Sequence, residues 1–191
     1  MNVLLVGPPG SGKGTQGAAL AAELGVTHIA VGDLLREEIR AGSPLGVTVQ
    51  EYVARGELVP DDVIVDLVVD RALVAVRAGG YVLDGFPRSV AQATVARELV
   101  RDEGGVPDVV IYLDVAPEVL TDRLLRRATS EGRADDTREI IEHRLALFEK
   151  ATRPLRDHYD RQGLLRVVDA DREPAVVLAD VVATTAELSP R

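Results

Sequence analysis

Apolar residues in this chain gather into short runs separated by longer stretches of helical spacing. Residues 3–6, 28–31, 81–84, 109–114 and 165–169 are brief, largely apolar and rich in β-branched side chains, which predicts buried strands. Between them, helical spacing covers 13–24, 34–39, 62–76, 90–101, 117–127, 138–161 and 174–188. Strand and helix in alternation predict an α/β fold with a parallel sheet covered by helices on both faces. In such folds ligands sit beyond the carboxyl ends of the strands, so the residues just after each strand are where chemistry is expected.

Two stretches break the alternation. Residues 31–60 hold a charged, glycine-punctuated pair of short helices with no strand, and residues 127–136 are almost wholly polar. Both are expected as small mobile inserts on one edge of a single domain spanning 1–191, with 30–59 as one insert and 127–137 as the other. No internal repeat or long linker interrupts the pattern, and 189–191 is expected to fray.

Composition narrows the picture. With 191 residues, 46% apolar and 28% charged, the chain has the balance of one soluble globular domain. Two Phe, four Tyr and no Trp leave the core to aliphatic side chains. A formal net charge of −9 argues against a broad nucleic-acid surface. The absence of cysteine excludes disulfides and a thiolate zinc site. The run at 3–6 lacks a basic leader and stops at a glycine, so no membrane span is expected and the cytoplasm is the expected location. Of 22 basic residues only Lys13 and Lys150 are lysine, so a lysine stands out.

After the first strand the chain reads Gly7-Pro8-Pro9-Gly10-Ser11-Gly12-Lys13-Gly14-Thr15-Gln16, a G-x4-G-K loop opening a helix. Glycines let successive backbone amides turn toward phosphate oxygens, the helix aims its positive dipole end at the same point, and a lysine supplies a compact charge. A tight turn with a surface lysine is the plain alternative, and strand, glycines and helix in order weigh against it. The chain also matches G-x-G-x-x-G from Gly12 to Gly17, but a dinucleotide fingerprint places its first glycine directly after the strand. The fold expected is therefore a P-loop NTPase-type five-stranded parallel sheet.

Together with Gly32-Asp33-Leu34-Leu35-Arg36, Asp84-Gly85-Phe86-Pro87-Arg88 and Gly132-Arg133-Ala134-Asp135-Asp136, this loop resembles the adenylate kinases, in their short-lid, zinc-free form. The resemblance spans residues 7 to 144, with a matching strand and helix beyond. It implies reversible transfer of a phosphoryl group between ATP and AMP, for adenine nucleotide homeostasis, by a monomer that uses Mg2+ with its nucleotides ATP, AMP and ADP. Gly10, Ser11, Gly12, Lys13, Gly14, Thr15, Arg127 and Arg172 would bind ATP. Val31, Arg36, Glu57, Leu58, Val59, Gly85, Phe86, Pro87, Arg88, Gln92, Arg133 and Arg144 would bind AMP. Lys13, Arg88, Arg123, Arg133 and Arg144 would be catalytic, and Mg2+ would sit near Thr15 and Asp84, mostly through water. Asp135 and Asp136 would orient lid arginines, and Arg126 is left without a role.

Physical sense supports these assignments. Forked arginines suit phosphates, and Gln92, one helical turn past Arg88, offers donor and acceptor to an adenine edge. Asp84 ends a strand beside the loop, where a metal-holding carboxylate competes with a simple cap. Two positions depart from the family. Val31 stands where a threonine is usual, which removes about 1 kcal/mol of hydrogen bonding to AMP, and Arg172 replaces a glycine whose backbone meets the ATP base. His28, His143 and His158 match no catalytic position and are expected to be structural or surface residues. A UMP/CMP kinase of the same fold, and a nucleotide-dependent switch or binding module, remain as alternatives.

Overall fold

A computed structural model describes residues 1–131 and 137–188. Five strands, β1 (Asn2–Val6), β2 (Thr27–Ala30), β3 (Tyr81–Asp84), β4 (Val109–Asp114) and β5 (Leu165–Asp169), form one sheet in the order β2-β3-β1-β4-β5. Every pairing is parallel. The chain leaves β1 to build β2 and β3 on one side and later returns to place β4 on the other. A crevice therefore opens at the carboxyl end of β1, the switch point where such sheets take ligands.

Burial on both faces explains the continuous apolar runs. Along β4, Val110 and Tyr112 join one core with Leu4 and Val6, whereas Val109, Ile111 and Leu113 join a second core with Val3 and Leu5. The first core is closed by Val65, Val68 and Ala72 of α4 (Asp61–Arg77), by Ala93 and Val100 of α5 (Val90–Val100), and by Tyr159 of α8 (Leu155–Asp160). The second is closed by Leu20 of α1 (Lys13–Leu24), Leu120 of α6 (Pro117–Glu131) and Val177 and Val181 of α9 (Pro174–Ala186).

The first irregular stretch is a helical hairpin of α2 (Val31–Ala41) and α3 (Pro44–Arg55). Ser43 caps α3 by accepting from the Gly46 N–H at 2.9 Å. The two helices cross so closely at Gly46 that a Cβ there would lie 2.1 Å from the Glu38 carbonyl oxygen. Val31, predicted to end a strand, instead opens α2, since β2 stops at Ala30. The stretch predicted to begin at 127 starts inside α6, which runs on to Glu131, and Arg133, Asp135 and Asp136 lie outside the described residues.

The single helix predicted over 138–161 is broken. It comprises α7 (Arg138–Leu147), a π-helical turn at Phe148–Thr152, and α8. Pro154 has no amide hydrogen and its ring crowds the preceding turn, so the register widens ahead of it. The Arg153 N–H accordingly donates to the Phe148 carbonyl, five residues back, at 2.8 Å.

Candidate active site

The loop after β1 turns on Gly10 and Gly12, whose φ values of 85° and 92° belong to the left-handed region that glycine enters without strain. Lys13 is the first residue of α1. Its ammonium donates to the Gly7 and Pro8 carbonyls at 2.8 and 2.9 Å and to Ser11 Oγ at 3.4 Å. Burial pulls the Lys13 pKa down to about 8, with Asp84 opposing the shift and Arg88 and Arg127 adding to it. Ser11 is buried beneath the loop, whereas Gly10, Gly12, Gly14 and Thr15 line the cleft above it.

Asp84 is the last residue of β3 and pairs with Leu5 of β1, two positions before Gly7. Its Oδ2 accepts from the His28 Nε2–H at 2.9 Å. His28, expected to be structural or a surface residue, thus reaches the cleft lining beside a site carboxylate. It shares a strand face with Ala30, which pairs with Asp84, and a polar residue on a strand that ends at the ligand edge was the available signal. The ring also rests on α1, where a Cβ on Gly17 would come within 2.6 Å of Nε2.

Loop 85–89 follows, with a cis peptide between Phe86 and Pro87. Arg88 Nε donates to the Gly85 carbonyl at 2.8 Å, and the Arg88 carbonyl accepts from Thr152 Oγ1 at 2.9 Å. The Arg88 guanidinium is held below its ordinary pKa by burial first, then by Arg144 and Arg36, with Asp84 pulling the other way. Like charges crowded and partly desolvated in this way favour an anion among them.

A cleft of about 960 Å3 joins these parts. Arg123, Arg126 and Arg127 face it from α6, Arg144 from α7 and Arg36 from α2, and Glu57, Leu58 and Val59 form part of its wall. Arg126 therefore belongs with its neighbours. Arg123 donates to the Ala170 carbonyl at 3.0 Å, and Arg144 to that of Val53 at 3.4 Å. Phe148 and Thr152 of the π turn also line the cleft; the break at Pro154 was the cue to them.

Three residues expected at the nucleotides are not among those lining the cleft. Val31 is 1% exposed within the apolar core, and its neighbours Ala30 and Gly32 line the cleft instead. Arg172 lies outside the cleft lining, donating to the Asp169 carbonyl and pairing with Asp180. Gln92 is 2% exposed and does not share a helical face with Arg88, because α5 begins only after Ser89. Ser89 Oγ caps the helix by accepting from the Gln92 N–H at 3.1 Å, while Gln92 Oε1 accepts from the Arg88 N–H at 2.8 Å. This is a capping box displaced by one residue. Gln92 Nε2 donates to Asp61 Oδ1 at 2.7 Å, so the carboxamide joins the 85–88 loop to the start of α4.

The adenylate kinase family model matches residues 5–164. An adenylate kinase of Xanthomonas campestris pv. campestris (strain B100) is 46% identical over 169 residues, which cover 88% of this chain and 90% of that protein. An adenylate kinase of Stenotrophomonas maltophilia (strain R551-3) is 43% identical over 183 residues, covering 96% and 98% respectively. With a phosphate loop, a strand-end carboxylate and a ring of arginines in one crevice, the chain belongs to the adenylate kinase family of phosphotransferases.

Proposed function

We propose that the chain catalyses ATP + AMP = 2 ADP, with the donor triphosphate on the loop after β1 and the acceptor between α2, α3 and the 85–88 loop. The observation that carries this reading is the gathering of Lys13, Arg36, Arg88, Arg123, Arg127 and Arg144 around one cleft in a chain of net charge −9. Such a cleft attracts and holds polyanions far smaller than a nucleic acid.

Lys13 and the backbone amides of residues 10–15 hold the donor phosphates, with Arg127 beside them. Arg36 and Arg88 fork onto the acceptor phosphate. An acceptor oxygen attacks the γ-phosphorus as the bond to the β-bridging oxygen breaks, so alignment and charge neutralisation matter more than a strong base. Arg88, Arg123 and Arg144, joined by Arg133, neutralise the equatorial oxygens. The Asp84 carboxylate and Thr15 hydroxyl, both lining the cleft near Lys13, suit a hydrated Mg2+. Bound there, the ion would neutralise charge on the β- and γ-phosphates.

Residues 57–59 and 85–87 wall the acceptor base, Val31 shapes the pocket from behind, and Gln92 offers the base the amide hydrogen and carbonyl lone pair that its own bonds leave over. Arg172 borders the donor base through its backbone. Inserts 30–59 and 127–137 close over the nucleotides and exclude water, which would otherwise take the phosphoryl group. No helix among the described residues is long and apolar enough to cross a membrane; we read the cytoplasm as the location and one chain as the working unit.

A coupled assay of diphosphate formation with ATP plus AMP, CMP, UMP or GMP tests the reading. Fastest turnover is expected with AMP. A preference for CMP or UMP would move the chain to the pyrimidine kinases, and hydrolysis independent of acceptor would make it a nucleotide switch.

A further inference from the structure

We propose that Asp61, at the start of α4, is a positioning residue that sets which purine the acceptor pocket accepts, by locking the Gln92 carboxamide in one of its two orientations. The inference rests on the reading above that Gln92 meets the acceptor base. A glutamine carboxamide can turn over about its last bond, exchanging the places of its oxygen and nitrogen. In the open, that exchange costs little, and the residue then reads no difference between a donor-acceptor edge and its reverse.

Gln92 does not have that freedom. Its Oε1 accepts from the Arg88 N–H at 2.8 Å, and its Nε2 donates to Asp61 Oδ1 at 2.7 Å. A backbone N–H only donates, and an ionised carboxylate only accepts. Turning the group over would set two donors face to face at Arg88 and two acceptors at Asp61, in a side chain only 2% exposed, with no water to mend either pair. One hydrogen on Nε2 and one lone pair on Oε1 remain, at fixed places.

Adenine presents an amino donor at N6 beside an acceptor at N1, whereas guanine presents an acceptor at O6 beside a donor at N1. The two edges are opposite in polarity at the same positions. An acceptor whose phosphate is anchored by Arg36 and Arg88 has little room to slide past the mismatch. The locked carboxamide therefore matches the 6-amino purine and opposes the 6-oxo purine. Asp61 enforces this from outside the base pocket, two residues after Val59 of the cleft wall.

The test compares kcat/KM for AMP and GMP in wild type, Asp61→Asn, Asp62→Asn and Gln92→Leu. Asparagine is isosteric with aspartate and can present either its oxygen or its nitrogen, so it removes the Asp61 half of the lock and leaves the Arg88 N–H alone against the turned-over carboxamide. Asp61→Asn should shrink the AMP-to-GMP preference about tenfold or more, through loss on AMP and gain on GMP, with the KM for ATP unchanged. Asp61→Ser, whose hydroxyl also works either way, should do the same. Asp62→Asn removes a neighbouring first-turn charge from α4 and should leave the preference within about twofold. Equal losses on AMP and GMP in Asp61→Asn would mean a merely structural role and overturn the proposal. If Gln92→Leu abolishes the preference while Asp61→Asn leaves it intact, the Asp61 assignment alone falls. An unchanged preference in Gln92→Leu would overturn both it and the base contact beneath it.

Discussion

At the scale of single residues, the chemistry rests on cations held close together before any anion arrives. Burial and the neighbouring arginines 144 and 36 destabilise the charge on Arg88, so a phosphate placed there relieves repulsion as well as gaining hydrogen bonds. Arg88→Ala should lower turnover by about 10²–10³-fold with the fold intact, as removal of a preorganised charge-stabilising donor does elsewhere. Steady-state kinetics beside a melting curve checks this. Lys13→Ala should lose at least as much, and near-normal turnover in that variant would sink the mechanism. The positions of the phosphate loop, Asp84 and Arg88 were legible in the sequence because each lies at or just past the carboxyl end of a strand. The bonds that tie Gln92 to Asp61 were not, since the two are 31 positions apart and meet only because α4 packs on α5. The cue that the sequence offers there is the spacing Ser89-x-x-Gln92, which is that of a capping box.

Among the elements, the helical hairpin of α2 and α3 depends on one close crossing. Gly46→Ala puts a methyl group into the Glu38 backbone, so the helices must separate. The expected cost is about 1–3 kcal/mol in urea unfolding, with a raised KM for AMP because Arg36 rides on α2. The π turn makes a second joint. Thr152→Val keeps the shape but removes the donor to the Arg88 carbonyl and should cost about 0.5–1.5 kcal/mol, with kcat reduced more than the KM for ATP. The strand limits at β3, β4 and β5 follow directly from the apolar runs. Helix limits were less legible where apolar periodicity carries across a breaker, and Pro154 splits a stretch whose spacing alone reads as continuous. Val31 shows the converse, a β-branched residue that extends an apolar run but is taken over by the helix that follows.

Over the whole molecule, two cores on opposite faces of a parallel sheet leave the crevice at the end of β1 as the place for chemistry, an arrangement that the alternation of strands and helices already predicts. Global stability carries a pH signal on the acid side of neutrality. The His158 pKa lies below its ordinary 6.5, chiefly through burial and then through repulsion from Arg161 and Arg97. As pH falls through that value, the unfolded chain takes up the proton before the folded one does, so stability declines. His158→Gln should flatten the decline that sets in as pH falls below the ordinary histidine value of 6.5, followed in urea titrations. The central claim, that one cleft passes a phosphoryl group from ATP directly to AMP, is tested most directly by following the label from γ-phosphate-labelled ATP in the presence of AMP and Mg2+. Label should appear in the β-phosphate of ADP, one for each AMP consumed. Label released chiefly as inorganic phosphate, or ATP turnover indifferent to AMP, would contradict the account.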